Sequence, residues 1–339
     1  MKRIALIGPG MAAGMHARAI NESGEVQLAG IWGRTLVTAE AFGQAHAPEA
    51  AIYQTLEHLL GDDAIDAVLV ATPPDARLDL VGQLAAAGKP ILLEKPVERS
   101  FAQAQEVVAL CKDVPLGVVL QHRVRPAAQQ LRDVLQAGAI GEVGAVEISV
   151  PWWRGQDYYD APGRGTYSRD GGGVLLTQAI HTLDLALYLL GPVIRVQAMA
   201  HTTRLHQMEA EDFVSAGLVF ASGAAGALTA STASFPGRGE AIMIHGTLGS
   251  ACLGTALEIY WQDGRTETFG AAVASGAGAD PMAFGADWHR ALIEDFLRSI
   301  DNGRPSIAPG ADALAVQRLI DALLLSSKEG RAVQVEDVT

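Results

Sequence analysis

A charged pair stands at the end of a short apolar run, where a lysine could carry out proton chemistry. Residues 91–93 are apolar and predict a buried strand, and Glu94, Lys95 and Pro96 follow it directly. In open α/β sheets, ligands bind beyond the carboxyl ends of the strands. A lysine in a cleft there that excludes water would have a lowered pKa and could accept or return a proton. The alternative is a surface Glu-Lys pair at a strand end.

A second group of polar side chains shares one face of a predicted helix. Residues 174–190 have a helical pattern, and His181 and Asp184 stand three positions apart within it. Thr177 lies four positions before the histidine, so an α-helix would make the three side chains neighbours. His181 could relay a proton or hydrogen-bond a reacting hydroxyl, and Asp184 could bind a second hydroxyl or orient the imidazole. The alternatives are a buried structural histidine and an aspartate that only orients the helix.

The N-terminus carries the signature of a dinucleotide-binding turn. A short apolar strand leads directly into a glycine-rich turn and a helix-compatible stretch, in the order Gly8-Pro9-Gly10-Met11-Ala12-Ala13. Gly8 allows a tight turn, Gly10 lets the backbone approach a pyrophosphate, and Ala13 permits close helix–strand packing. The helix N-terminus offers partial positive charge to the phosphates. We therefore assign Gly8, Gly10, Met11 and Ala12 to cofactor binding.

Strands and helices alternate through the first third of the chain, which predicts a parallel sheet covered by helices on both faces. Two of the strand-like runs end immediately before the loops 72–75 and 94–96. Because the carboxyl ends of parallel strands meet at one edge of a sheet, both loops should lie beside the glycine-rich turn. The further residues predicted to contact the cofactor are therefore Thr72, Pro73, Glu94 and Lys95.

The pattern changes from about residue 124 onward. Several strand-like segments follow, separated by turn signals, and Ser222 and Gly223 sit between two of them as a hairpin requires. We therefore predict an α/β Rossmann domain at residues 1–122 and, at residues 123–339, an α+β domain with an open, mostly antiparallel sheet. The second domain would bind substrate and form oligomers.

The C-terminal part adds two helical stretches and one loop. Residues 282–301 and 311–328 have helical patterns and could pack back on either domain. Residues 270–281 are rich in small side chains, which is typical of a mobile loop.

Composition excludes several classes of protein. With 339 residues, 49% of them apolar and 19% charged, the chain can form two globular domains. It contains no uninterrupted apolar run of membrane-spanning length, and its N-terminus is itself a core strand, so we expect a cytosolic protein. The net charge of -13 argues against nucleic acid and anionic membranes as partners. Its two cysteines have no metal-binding spacing, so we expect no metal site.

The chain resembles the Gfo/Idh/MocA oxidoreductases over nearly its whole length. The motifs that carry the resemblance are Gly8-Pro9-Gly10-Met11-Ala12-Ala13, Ala71-Thr72-Pro73-Pro74, Ala87-Gly88-Lys89 leading to Glu94-Lys95-Pro96, and Gly171-Gly172-Gly173 followed by His181-Thr182-Leu183-Asp184. The resemblance implies a nicotinamide cofactor in the N-terminal domain. It also implies a sugar, polyol or related substrate, held between that domain and the C-terminal sheet. Lys95 would be the acid/base in hydride transfer, and His181 would assist it.

Two positions depart from the family pattern. Inositol dehydrogenase-like members carry an acidic residue where this chain has Thr177, so the Lys-Asp-His triad does not carry over whole. Either Lys95 and His181 suffice, with Thr177 as a neutral hydrogen-bonding partner, or the substrate differs from inositol. Arg77 stands where many members have histidine, and we predict no role for it beyond its loop.

The end of the second strand bears on the choice of cofactor. An NAD site usually places an acidic residue there for the ribose 2′-hydroxyl, whereas a 2′-phosphate needs a cation. This chain has Arg34 and Thr35 instead, which could offer a charge-assisted contact and a hydroxyl donor. We therefore predict a preference for NADP(H) over NAD(H). Alternatively, Arg34 stacks on the adenine and tolerates both.

An aromatic and basic loop at residues 151–169 is the best sequence clue to the substrate. Aromatic faces pack on sugar rings, and Arg or Tyr groups bind hydroxyls or a carboxylate. The predicted substrate contacts are Trp153, Arg154, Tyr159 and Arg164 in this loop, with Thr177 and Asp184 on the helix. The alternatives are a loop folded on its own aromatic side chains and an oligomer contact. Weaker candidates are His122, Arg123 and Arg125.

These features predict an NAD(P)-dependent dehydrogenase or reductase that acts on a sugar, polyol, sugar acid or nucleotide sugar. A dinucleotide-binding sensor without turnover is one alternative, although Lys95 and His181 weigh against it. An NAD-dependent glycoside hydrolase is another. Because an open sheet would expose an apolar face, we expect a homodimer or homotetramer formed through the C-terminal sheet.

Overall fold

The computed structural model describes residues 1–270 and 285–339, which divide into two compact units. The first unit comprises Met1–Glu98, Ala102–Gln121 and Gly285–Ala313. The second comprises Arg99–Phe101, the described part of His122–Phe284, and Leu314–Thr339. The helical segment that follows residue 285 therefore belongs to the first unit. The loop predicted at residues 270–281 lies, apart from Gly270, outside the described residues, as do residues 282–284 of the predicted tail.

The first unit contains a six-stranded parallel sheet in the order β3-β2-β1-β4-β5-β6. Its strands are β1 (Lys2–Ile7), β2 (Val26–Trp32), β3 (Ala51–Ile52), β4 (Ala67–Val70), β5 (Ile91–Leu93) and β6 (Leu116–Val118). Every residue of β4 and β5 is buried, as expected for parallel strands covered on both faces. The predicted α/β Rossmann architecture is confirmed.

The strand register brings the three predicted ligand loops to one edge of this sheet. Ile7, the last residue of β1, pairs with Val70 at the end of β4, and Val70 pairs with Leu93 at the end of β5. The segments that follow these three residues are the glycine-rich turn, the Thr72 loop and residues 94–96. The prediction that they share an edge is therefore confirmed.

Helices cover both units. Their bounds are α1 (Met11–Asn21), α2 (Leu36–His46), α3 (Leu56–Leu60), α4 (Leu78–Ala86), α5 (Phe101–Leu110), α6 (Pro126–Gln136), α7 (Gln156–Asp160), α8 (Ile180–Leu190), α9 (Asp287–Asp301) and α10 (Gly310–Glu329). Thr35 and Thr55 cap α2 and α3 by accepting a hydrogen bond from the amide three residues on. Within residues 1–270 and 285–339, no helix combines the length and the apolar character needed to cross a membrane.

The second unit is built on a mostly antiparallel sheet. Among the described residues it has nine strands, in the order β14-β13-β12-β11-β7-β10-β9-β8-β15. They are β7 (Val143–Pro151), β8 (Val193–His201), β9 (Phe213–Phe220), β10 (Ala225–Ser231), β11 (Ala241–Gly246), β12 (Gly249–Leu253), β13 (Leu257–Trp261), β14 (Thr266–Phe269) and β15 (Val333–Gln334). Only β7 and β10, among these strands, pair in parallel. The predicted fold class is confirmed, as is the β9–β10 hairpin, in which Gly223 has a φ of 92°.

The helix predicted at residues 174–190 is present but is not α-helical throughout. Leu175–Ala179 forms a single π-helical turn, and the regular helix α8 follows from Ile180. A π turn contains one residue more per hydrogen-bonded ring than an α turn. The sequence pattern predicted that the four-residue spacing places Thr177 and His181 one above the other. Because of the π turn, it does not.

Candidate active site

The glycine-rich turn fits tightly against the Thr72 loop. Gly8 has a φ of 87°, and a Cβ added there would lie 2.9 Å from both the Thr72 main-chain nitrogen and its Cγ2. Only glycine adopts this conformation and leaves this space without strain. The Gly8 amide also donates to the Trp32 carbonyl oxygen at 3.1 Å. The turn is thereby fixed between the ends of β2 and β4.

The N-terminus of α1 is open to an anionic ligand. Gly10 is its N-cap residue, and a Cβ added to Gly10 would meet no described atom within 4 Å. The first turn of α1 carries no acidic side chain. Met11 is largely exposed, and Ala12 is half-buried. Ala13 is fully buried where close packing was predicted. The exposed amide end of a helix of this kind suits a pyrophosphate.

Thr72 supplies a second feature that fits a dinucleotide. Its Oγ1 is buried and has no hydrogen-bond partner among the described residues. A buried hydroxyl without a partner is costly, so it marks a position where a ligand oxygen would complete the hydrogen bonding. The next residue, Pro73, is exposed and leads into the 3₁₀ turn Pro74–Ala76. The residues at this edge therefore fit the cofactor that the sequence predicts.

Arg77 joins the Thr72 loop to the Lys95 segment, a role that the sequence did not reveal. Its Nε and Nη2 donate to the Thr72 carbonyl oxygen at 3.1 and 2.6 Å. Its Nη1 donates to the carbonyl oxygens of Glu94 at 2.5 Å, Val97 at 3.4 Å, and Pro96. Burial lowers the pKa of the guanidinium to about 10, against the charges of Glu94 and Glu98. Arg77 therefore stays cationic at neutral pH, 2% exposed.

The Glu94 carboxylate is bonded to α1. His16 Nε2 lies 2.7 Å from Glu94 Oε1, and the His16 ring packs edge-to-face on His289, with 5.2 Å between centroids. Burial alone would raise the pKa of Glu94, but the His16 hydrogen bond and the charges of His16, Lys95 and His289 lower it to about 2. The Glu94 side chain thus binds His16 through one carboxylate oxygen, and its contact with the cofactor stays a prediction. His16 and His289 were not identified from the sequence.

Lys95 itself is half-buried at the end of β5, and its peptide bond to Pro96 is cis. The carbonyl groups on both sides of it are the ones that Arg77 binds. The backbone around Lys95 is thus fixed from within the first unit.

In the second unit, His181 lies in the first turn of α8 against another histidine. The rings of His181 and His122 stack with 5.0 Å between centroids and 29° between planes. His181 is 7% exposed and His122 is 6% exposed. The weaker sequence candidate His122 is therefore part of the same cluster as His181.

Asp184 forms a buried ion pair with Arg123. Arg123 Nε donates to one carboxylate oxygen at 2.8 Å, and Nη2 donates to the other at 2.6 Å. The two side chains are 3% and 1% exposed. A bidentate pair of this kind engages both oxygens. The pair with Arg123 fits the alternative in which Asp184 orients the helix, and its contact with substrate stays a prediction.

A second buried pair lies beside the first. Arg125 Nη1 is 3.2 Å from Glu240 Oε1, and Trp152 Nε1 donates to the other oxygen of Glu240 at 3.2 Å. Burial would raise the pKa of Glu240, but the charges of His122 and Arg125 hold it below its ordinary value. Glu240 was not identified from the sequence, since nothing in its local pattern distinguishes it from a surface carboxylate.

The π turn before α8 uses the Thr177 side chain internally. Thr177 Oγ1 contacts the Gly173 carbonyl oxygen at 2.6 Å and the amide oxygen of Gln178. The hydroxyl hydrogen of Thr177 is directed at its own helix, and the contact of Thr177 with substrate stays a prediction. Glu211, also missed, accepts hydrogen bonds from the Gly173 and Leu175 amides, both at 3.1 Å. It caps the segment that carries His181.

The aromatic and basic loop packs mainly on itself. Tyr159 is buried, with its hydroxyl 2.6 Å from Thr232 Oγ1. Arg154 is 2% exposed, with its guanidinium over the Trp152 ring at 5.2 Å. Arg164 lies over the Tyr158 ring at 5.0 Å. The self-packed alternative therefore fits Tyr159 and Arg154, and the substrate contacts of these two stay predictions.

Trp153 differs from the rest of this loop because it is only half-buried. Its ring lies 5.7 Å from His206 and 5.4 Å from Phe235, measured between centroids. His206 in turn bonds Asp212 and the Arg154 carbonyl oxygen, both at 2.8 Å. The loop is thus anchored from beneath by a buried histidine that the sequence did not identify.

Arg34 and Thr35 behave differently at the end of β2. Arg34 is exposed, as a contact to a 2′-phosphate would require. Thr35 caps α2, and its Oγ1 lies 2.8 Å from Thr38 Oγ1. In the cap Thr35 Oγ1 accepts a hydrogen bond from the Thr38 amide, and its role as a donor to the cofactor stays a prediction.

The described parts of the chain hold no group of three or more His, Cys, Asp or Glu side chains arranged to bind a metal ion. The expectation that the protein has no metal site stays a prediction.

Two family models match the chain. The model described as oxidoreductase family, NAD-binding Rossmann fold, matches residues 2–122. The model of the GFO/IDH/MocA C-terminal domain matches residues 128–252. Together the two matches cover most of the sequence and include every segment that carries the proposed site.

Known relatives resemble the chain over nearly its full length. Inositol 2-dehydrogenase of Rhizobium meliloti is 26% identical, covering 98% of this chain and 99% of its own. D-apiose dehydrogenase of Paraburkholderia graminis is 28% identical, covering 98% and 90%. The structure of the WlbA dehydrogenase from Bordetella pertussis, in complex with NADH and UDP-GlcNAcA, is 25% identical. It covers 98% of this chain and 97% of its own, with a TM-score of 0.84.

Proposed function

The chain belongs to the Gfo/Idh/MocA family of oxidoreductases, and from that premise we propose that it is an NAD(P)-dependent dehydrogenase or reductase of a carbohydrate-like substrate. The observation that carries the proposal is the register of the parallel sheet. It ends β1, β4 and β5 side by side and so brings the glycine-rich turn, Thr72 and Lys95 to one edge. A nucleotide bound at the glycine-rich turn and Thr72 would have Lys95 beside it as a proton-transferring group.

Lys95 is proposed as the acid/base. The nicotinamide supplies hydride acceptance or donation when it is bound. Oxidation of a hydroxyl also requires a base for its proton, and reduction of a carbonyl requires an acid. Lys95 is half-buried, and its backbone is fixed on both sides by Arg77. A lysine held in this way can meet the same substrate oxygen in both directions of the reaction.

His181 is proposed to assist Lys95 by hydrogen-bonding the reacting hydroxyl. Its support is its location in the first turn of α8, where its ring stacks on His122. Asp184 acts on this helix indirectly, through its bidentate pair with Arg123. The remaining substrate contacts are proposed for Trp153 and Arg164, the two half-buried members of the original loop prediction.

The proposed substrate class is supported by the relatives. Inositol and apiose appear in the names of two of them, and a nucleotide-linked sugar acid is bound in the WlbA structure. We therefore propose a polyol, sugar, sugar acid or nucleotide sugar. Residues 1–122 would bind the dinucleotide, and residues 123–339 would bind substrate and form a homodimer or homotetramer. The cytosolic location expected from the sequence stays a prediction.

The choice of dinucleotide is proposed to favour NADP(H) over NAD(H). Arg34 is exposed at the end of β2, where its guanidinium could pair with a 2′-phosphate. Titration of the wild type and Arg34→Ala with both cofactors tests this. We expect Arg34→Ala to weaken NADP binding about tenfold, as expected for loss of a hydrogen bond to a charged group, and to leave NAD binding nearly unchanged. Tighter binding of NAD than of NADP by the wild type would refute the preference.

The absorbance of reduced nicotinamide tests the function as a whole. Purified protein is mixed with NADP or NAD and with panels of polyols, sugars, sugar acids and nucleotide sugars. Lys95→Ala is run beside Lys112→Ala, whose side chain is 79% exposed in the same unit. Turnover lost only in Lys95→Ala supports the proposal and identifies the substrate class. Cofactor binding without turnover favours a sensor, and bond cleavage without net cofactor change favours a hydrolase.

A further inference from the structure

Arg77 makes a set of contacts that the proposed reaction does not by itself require. Its side chain is 2% exposed, yet its hydrogen bonds in the described structure all go to main-chain carbonyl oxygens. A buried guanidinium is usually paired with a carboxylate, because burying an unpaired charge is costly. Here the cost is offset by carbonyl dipoles from two different loops together with the charges of Glu94, Glu98 and Asp75. An arrangement of this kind fixes the backbone rather than another side chain.

The acceptors are distributed in a way that singles out Lys95. On one side, Nε and Nη2 bind the Thr72 carbonyl, and Thr72 packs against Gly8 of the nucleotide turn. On the other side, Nη1 binds the carbonyls of Glu94 and Pro96, the residues immediately before and after Lys95. The orientation of the backbone that carries Lys95 is therefore set relative to the nucleotide turn through one guanidinium.

Only an arginine can make both sets of contacts from this position. Its planar fork presents donors in two directions at once, whereas an ammonium is a single point of charge. Arg77 begins α4 as its N-cap residue, so its own backbone is part of a regular element. The hydrogen bonds of Arg77 thus form a clamp that fixes both loops relative to α4, and α4 contacts β5 of the sheet.

We propose that Arg77 is a positioning residue for Lys95, which sets the place of the lysine ammonium relative to the dinucleotide by holding the carbonyls on either side of it. The inference rests on the proposed function of Lys95 as the acid/base. It assigns Arg77 no contact with substrate or cofactor. Hydride and proton transfer depend on placement to within about an ångström, so loss of the clamp lowers the rate of the chemical step.

The first arm of the test measures backbone order directly and needs no substrate. Hydrogen exchange followed by mass spectrometry compares the wild type with Arg77→Lys, Arg77→Gln and Leu59→Ala. Leu59 is fully buried in the same unit on α3, so Leu59→Ala loses stability without touching either loop. We expect exchange in peptides covering residues 94–98 to rise about tenfold or more in both Arg77 variants, relative to Leu59→Ala. An equal rise throughout the unit, or none at residues 94–98, would overturn the inference.

The second arm separates positioning of Lys95 from binding of the cofactor. In Arg77→Lys, which keeps the charge but not the fork, we expect kcat to fall about 10- to 100-fold. The Kd of the dinucleotide should weaken much less than kcat falls, since Gly8 and Gly10 are untouched and only the Thr72 loop loses its contact with Arg77. Leu59→Ala should keep its kcat at a temperature where it is folded. A Kd weakened as much as kcat falls would make Arg77 a cofactor-loop residue and overturn the inference.

The two arms fail separately. A wild type without turnover refutes the proposed function, while hydrogen exchange still decides whether Arg77 orders the Lys95 segment. Turnover in the wild type with an unchanged kcat in Arg77→Lys refutes the inference and leaves the proposed function standing.

Discussion

The segment that carries Lys95 and the helix that carries His181 are fixed by opposite means. In the first unit, a single cation, Arg77, holds main-chain carbonyls on both sides of Lys95. In the second unit, separate ion pairs support the helix and its neighbours: Arg123 binds Asp184, three residues after His181, and Arg125 binds Glu240. One arrangement concentrates the support in one side chain, and the other distributes it over several.

This difference has energetic consequences. A carbonyl oxygen cannot be removed by substitution, so these main-chain contacts of the Lys95 segment depend on one side chain, Arg77. Each ion pair of the second unit has two members, and loss of either leaves its partner buried and charged. Loss of Arg77 should therefore appear mainly as a defect in rate, and loss of one member of an ion pair in the second unit should appear mainly as a defect in stability.

The largest effect expected is on turnover, and it sharpens the contrast between the two regions. Lys95→Ala should lower kcat about 10³-fold, within the range that acid–base groups contribute, whereas His181→Ala should lower it about 10²-fold because it only assists. Steady-state kinetics on the substrate found with the panel measure both. Equal losses would show that the two groups share the proton transfer. A smaller loss for Lys95→Ala would reverse the assignment.

Breaking the Arg123 pair should produce the largest loss of stability. Asp184→Asn leaves the guanidinium buried without its countercharge and should lower the free energy of unfolding by about 3 to 5 kcal/mol. Urea unfolding measures it. Asp160→Asn, at an exposed position in the same unit, should change the value by less than about 0.5 kcal/mol. If Asp184→Asn were equally mild, the second region would not depend on charge pairing.

The Glu94–His16 pair should make the first unit sensitive to acid. Because the folded pKa of Glu94 lies below its ordinary value, its ionised form contributes stability that is present above about pH 4.5 and is lost as the pH falls toward 2. The contribution is up to about 3 kcal/mol. Measuring the free energy of unfolding of the wild type and of Glu94→Gln from pH 6 to about 2.5 isolates this contribution. Parallel pH curves for the two proteins would contradict the assignment.

The smallest effect tests whether the aromatic loop is structural. Tyr159→Phe removes the hydrogen bond to Thr232 and should cost about 1 kcal/mol of stability. The KM for substrate should stay within about twofold, because the hydroxyl is directed inward. A KM raised tenfold without loss of stability would restore the substrate contact predicted from the sequence.

The sequence predicted the fold and the shared edge because both depend on local patterns. Apolar runs, the glycine-rich turn and the alternation of elements determine a parallel sheet, and a parallel sheet brings strand ends together. The identities of Lys95 and His181 as candidates followed from the same reasoning, with the family resemblance.

The partners of these residues could not be predicted in the same way. Glu240 is 115 residues from Arg125, and only the sheet brings them together. The carbonyls that bind Arg77 belong to the backbone, which carries no signal in residue type. The sequence also left open whether Tyr159 and Arg154 pack within their own loop. The composition of a loop indicates its chemistry but not the direction of its side chains.

The π turn at Leu175–Ala179 also bears on how the sequence of this chain can change by insertion and deletion. Removing one residue from this turn would let an ordinary α-helix continue into α8, and everything before it would rotate by about 100° relative to His181. The Glu211 cap would then face the wrong amides. Indels should therefore be tolerated in surface connections of this unit long before they are tolerated in these five positions.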